Sequence, residues 1–186
     1  MTDSSRVSSR VSPRESTPPA GSRAAHLIDG ADFWDAWSVP AAQPELPALD
    51  QFLKAVRATP RWVEACMSLR NRVVAQLGLK DLGGLGHIDA TASGQSFRVG
   101  ERVGIFTLFD NTADEAVLGD SDKHLDVRLS VHRLHTPGQP GAVVTITTAV
   151  HVKNTLGRLY MLPVKPMHRL IAPAVMRAIA RGGPAA

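Results

Sequence analysis

Hydrophobic and polar residues alternate most regularly between Asp122 and Tyr160. Leu125, Val127, Leu129 and Val131 share one face of a strand, and His124, Asp126, Arg128, Ser130 and His132 share the other. A second run places Val144, Ile146, Thr148, Val150 and Val152 opposite Val143, Thr145, Thr147, Ala149, His151 and Lys153. Alternation with two chemically distinct faces predicts antiparallel strands, and Pro137-Gly138-Gln139-Pro140-Gly141 supplies a turn between them. The two apolar faces must coincide, because a one-residue slip would send one of them to the polar side. With the turn closing near His135 and Ala142, Asp126 lies opposite His151, Arg128 opposite Ala149 and His124 opposite Lys153.

The rest of the pattern builds around this hairpin. The stretch Ala31–Val39, with Phe33, Trp34 and Trp37, predicts a first strand. Leu49, Phe52, Leu53 and Val56 follow helical spacing, so residues 47–58 predict an amphipathic helix. Thr59-Pro60 restarts a second helix, with Trp62, Cys66, Leu69, Val73 and Leu77 as its expected buried stripe and Gly78 as its end. Residues 80–100 read as loop, 102–109 and 114–118 as strands, and 157–162 as further extended chain. A last helix is expected from about Pro166 to Arg181, kinked at Pro173, with Met167, Leu170, Ile171, Ala174, Val175, Ala178 and Ile179 in helical period. Strands gathered in one run with helices on one face define an α+β domain.

Composition narrows the picture modestly. Residues 1–25 are rich in Ser, Arg and Pro and have almost nothing to bury, so a disordered tail is expected there, followed by one domain over 26–186. One cysteine excludes an internal disulfide framework and suits a reducing cytoplasm, where the chain is expected to reside. A net charge of +4 is spread along the sequence, so no nucleic-acid partner is expected. No apolar run is long enough to span a bilayer, and no membrane partner is expected either. Residues 82–86 are glycine-rich but lack the lysine of a phosphate-binding loop. His132 and His135 face opposite ways on a strand, and HExxH, GxSxG and Cys–His motifs are absent, so no metal or cofactor is expected.

Several motifs carry a resemblance. Pro60-Arg61-Trp62-Val63, Leu69-Arg70-Asn71, Asp122-Lys123-His124-Leu125-Asp126-Val127-Arg128, Gly157-Arg158-Leu159-Tyr160 and Pro166-Met167-His168-Arg169 resemble a bacterial family defined only as a domain of unknown function. Some of its members are fused behind NAD(P)-binding domains of the short-chain dehydrogenase type, which implies a reductase as a possible partner. The element order resembles, more remotely, the helix-grip fold of START-like and polyketide-cyclase-like domains. That resemblance implies a curved antiparallel sheet around a long C-terminal helix, two short helices after the first strand, and a cavity for a small apolar or amphipathic ligand.

Beside the reading that the fused relatives imply, a partner module of a short-chain-dehydrogenase-like reductase, two functional readings follow. One is a ligand-binding domain, with His124, Arg128, Asn154, Arg158, Tyr160 and His168 as binding candidates. The other is a cyclase, dehydratase or isomerase in which Asp126 and His151 form the acid–base pair. Against both stands the ordinary case of a polar strand face with routine cross-strand charge pairs.

Overall fold

A computed structural model describes residues 11–76, 88–89, 91–135, 138 and 141–181. In chain order these form β1 (Arg14–Glu15), α1 (Ala24–Leu27), β2 (Phe33–Pro40), α2 (Ala48–Arg57), α3 (Arg61–Gln76) and a single 3-10 turn at Gly94–Ser96. Then come β3 (Arg102–Val103), β4 (Phe106–Asn111), β5 (Glu115–Ser121), β6 (Leu125–His135), β7 (Ala142–Val152) and α4 (Thr155–Ala180). The result is an α+β fold whose strands form one antiparallel sheet in the order β1-β2-β7-β6-β5-β4-β3.

The expected hairpin register is present. Asp126 pairs with His151 and Arg128 with Ala149, while the Lys153 N–H donates to the His124 carbonyl at 2.8 Å. The single strand expected over 102–109 divides into β3 and β4, because Gly104 takes φ +60° between the paired Val103 and Phe106. A glycine with positive φ at the first turn position lets two residues reverse the chain.

One face of the sheet carries the main core. Leu118, Leu129, Val131, Val144 and Val39 from the strands meet Leu49, Phe52, Leu53 and Val56 of α2 and Met176 and Ile179 of α4. A smaller cluster of Phe33, Leu125, Val150 and Met161 lies under the first half of α4. α2 therefore buries the stripe its spacing predicts. α3 does not: Val63 is buried, Cys66 and Met67 are half-buried, and Trp62 and Leu69 are exposed. Its inward side continues instead to Arg70, whose Nε donates to the Tyr160 hydroxyl of α4 at 2.8 Å. The expected buried positions Val73 and Leu77, the end at Gly78 and the glycine-rich stretch lie outside the residues whose side chains or backbone are described.

The last helix begins eleven residues earlier than expected, and Gly157–Leu162 is helical rather than extended. Asn154 caps it, its side-chain oxygen accepting from the Gly157 N–H at 3.0 Å. A side chain at Gly157 would place its first carbon 2.5 Å from the His124 carbonyl oxygen, so only glycine lets this turn meet the start of β6. Pro163 and Pro166, which suggest a helix start further on, lie inside the helix on its exposed side, where water can satisfy the carbonyls they leave free. No helix among the described residues is long and apolar enough to cross a membrane.

Residues 14–28 depart from the expectation of a tail with nothing to bury. β1 adds to the edge of β2, and α1 lies across β6 on the sheet's polar face. Backbone pairing and one fully buried side chain, Ala24, hold this segment in place without the apolar content of a core element.

Candidate functional site

The polar face of the hairpin is half-buried beneath the N-terminal segment. Glu115, itself buried, accepts the Arg23 backbone N–H at 3.0 Å on both carboxylate oxygens and the Ser130 hydroxyl at 2.7 Å. The Arg23 guanidinium pairs with Asp110. Ser38 and Thr145 share a hydroxyl contact of 2.7 Å. Among the described residues, His132 Nδ1 and Thr147 Oγ1 on this face are buried without a hydrogen-bond or ion-pair partner.

Asp126 and His151 are cross-strand neighbours, yet each turns to a different partner. His151 Nε2 lies 3.1 Å from the Leu27 carbonyl, and since a carbonyl only accepts, this nitrogen carries the proton. Asp126 pairs with Arg128 at 3.0 Å. The Arg128 guanidinium stacks on the Phe109 ring at 4.2 Å and runs over Gly119, where an added methyl would sit 2.8 Å from Nη1 and 2.4 Å from the Val127 carbonyl. Arg128 is thus held by stacking and charge together. His124 Nδ1 contacts the Asn154 side chain, whose amide also donates to the Lys123 carbonyl at 3.0 Å. Asn154, expected as a binding residue, caps α4. Tyr160, expected likewise, receives Arg70 and joins two helices.

The opposite face holds an acid–base pair that the hairpin reading does not contain. His168 Nε2 lies 3.1 Å from Asp35 Oδ1, and the other Asp35 oxygen accepts the Trp37 indole N–H at 3.1 Å. The Asp35 side chain is 5% exposed and that of His168 25%. Phe33 meets the His168 ring edge-on at 5.7 Å. A signal for Asp35 is present in the sequence: Phe33, Asp35, Trp37 and Val39 alternate onto one face, leaving an acid among core residues. An acid so placed requires a partner across the interface.

Beside this pair, at the first half of α4, is a half-open hollow of about 250 Å³ lined by Asp32, Val152, Arg158, Met161, Leu162 and Lys165. Four of these residues follow i, i+3, i+4, i+7 on α4, so one helical stripe presents two cations with two apolar side chains between them. Lys165 Nζ donates to the Asp32 carbonyl at 3.3 Å and sits 5.8 Å from the centre of the Phe33 ring. The Asp32 carboxylate accepts the Val152 N–H at 2.7 Å. Phe33 thus touches both Lys165 of the hollow and His168 of the pair. Among the described residues, no cluster of three or more His, Cys, Asp or Glu could hold a metal ion.

A family model described as "Protein of unknown function (DUF2867)" matches residues 27–175. No curated protein and no solved structure matches the chain.

Proposed function

The chain belongs to the DUF2867 family of proteins of unknown function, and for this member we propose a small-molecule-binding domain of helix-grip type. Its ligand is a compact amphipathic anion seated in the hollow between α4 and the β2–β7 side of the sheet. The observation that carries this reading is the stripe Arg158, Met161, Leu162, Lys165 lining one hollow. Two cations orient an acidic group while Met161, Leu162 and Val152 receive its apolar part, the usual division of labour in a ligand site. The size of the hollow favours a ligand smaller than drug-sized.

Native mass spectrometry of freshly purified protein, set against the denatured mass, tests this directly. A ligand mass that disappears on denaturation is expected, as is saturable binding of the probe octanoate that Arg158→Ala with Lys165→Ala removes. A clean apo mass with no octanoate binding would retire the proposal.

A second reading, an acid–base enzyme of the cyclase, dehydratase or isomerase kind, is supported by Asp35 and His168 rather than by Asp126 and His151. A buried carboxylate that fixes an imidazole is the arrangement a general base requires, and Phe33 links it to the hollow. If the recovered ligand is converted on incubation, His168→Ala should abolish conversion and spare binding. Conversion that survives this substitution would dismiss the pair as catalytic.

A further inference from the structure

We propose that the outer face of α4 docks onto an anionic membrane surface. This departs from the expectation of no membrane partner, which rested on the lack of a spanning segment. Docking of this kind needs none. The helix buries Met161, Ala174, Met176 and Ile179, while Leu159 is 59%, Leu162 68% and Leu170 61% exposed. At 100° per residue these leucines fall on one stripe with the exposed Pro163 and Pro166. A single exposed leucine is ordinary, whereas a contiguous apolar stripe marks an interaction surface. Leu69 of α3, also exposed, adjoins in sequence the Arg70 that contacts Tyr160 next to Leu159.

Charge decides what covers the stripe. From Thr155 to Ala180 the helix has Arg158, Lys165, Arg169 and Arg177 and no aspartate or glutamate. Arg158, Arg169 and Arg177 are exposed on or beside the leucine stripe. Exposed leucines among cations of one sign match an acidic lipid surface, to which each basic residue near the headgroups adds attraction. A second copy of the chain would bring like charges together.

The prolines separate a lipid surface from a dry protein groove. Pro163, Pro166 and Pro173 each lack the N–H that would bond the carbonyl four residues back, at Leu159, Leu162 and Arg169. A dry groove would strand those carbonyls, and burial without partners is costly. At a membrane the Leu159 and Leu170 side chains enter the acyl boundary, with Leu162 left to the hollow, while the backbone stays at the hydrated headgroup level.

The test uses the full chain and vesicles of phosphatidylcholine with and without phosphatidylglycerol. Co-sedimentation is expected with the anionic vesicles alone, weakening as salt is added. Leu159→Ser with Leu170→Ser should lower partitioning by on the order of tenfold or more, and Arg169→Glu and Arg177→Glu by roughly fivefold each. None of these four residues lines the hollow, so octanoate binding should persist in every variant and shows that each is folded. Absence of partitioning onto anionic vesicles, or equal partitioning of the double-leucine variant, would overturn the proposal. So would a dimer, seen by light scattering, that this variant splits in a protein with no vesicle binding. Tight binding to polyglutamate without vesicle binding would reassign the face to an acidic protein partner.

Discussion

The two faces of the sheet solve the same problem in different ways. Each contains a buried carboxylate away from the sheet's β3 edge, where the buried Asp120 pairs with Arg102. On the face under α2 and α4, Asp35 is satisfied by side chains, the Trp37 indole and the His168 imidazole. On the face under residues 14–28, Glu115 is satisfied mainly by backbone, the Arg23 N–H, together with the Ser130 hydroxyl. The first face is closed by a long helix sharing the main core, and the second by a short segment with one fully buried side chain. A carboxylate locked into the core can be exposed only by separating core elements. One covered by a light segment can be exposed when that segment lifts, which is the expected low-stability end of a structure.

The largest effect expected from this contrast is at the packed face. Leu118→Ala, at a fully buried position between β4 and β6, should cost about 2–5 kcal/mol. The check is the denaturant midpoint at constant slope. A loss below about 1 kcal/mol would mean that the helices do not close this face as tightly as described.

The carboxylates themselves sharpen the comparison. Asp35→Ala leaves the Trp37 N–H and the His168 ring without their acceptor, a cost of about 1–3 kcal/mol that global unfolding should register in full. Glu115→Ala strands the Arg23 N–H and the Ser130 hydroxyl, but local opening lets water reach both. Its midpoint should therefore move less than that of Asp35→Ala, while tryptic cleavage after Arg14 and Arg23 should become faster. Equal midpoint shifts with unchanged cleavage would mean that the two faces are held alike.

Much of the fold was legible in the sequence wherever one face of an element is apolar and the other is not. The β6–β7 register and the α2 stripe are of this kind. Positions set by geometry that periodicity does not encode were missed. The start of α4 depends on the Asn154 cap, and three prolines obscure it. The outward turn of Trp62 and Leu69 reflects what α3 packs against, not its own spacing. The candidate site was half legible. Alternation correctly placed Asp126 opposite His151, but it could not show that Arg128 and the Leu27 carbonyl would claim them separately. The better-formed pair, Asp35 with His168, joins residues far apart in the chain, and only its carboxylate left a trace in the pattern.

The smallest effect lies at the rim, where Asp114 meets Arg133. Arg133 also donates to the carbonyls of Pro44, Glu45 and Leu46, tying the loop before α2 to β6. The hydrogen bond from Arg133 is the main cause that holds the Asp114 carboxyl below its ordinary value of 3.8. Partial burial opposes this, and the Arg133 charge and the nearby His135 and His132 assist it. A carboxyl depressed in the folded state contributes stability that is fully present above its unfolded pKa. That contribution fades as pH falls below 3.8 and through the folded value. Because the Asp114 side chain is 65% exposed, solvent screens the pair, and its worth is about 0.5 kcal/mol or less. Asp114→Asn should therefore lower the denaturant midpoint slightly at neutral pH, and the gap from the unmodified chain should close on the acid side of 3.8. A gap that instead widened with acid would show that Arg133 draws its hold from the 44–46 carbonyls and that the carboxylate works against it.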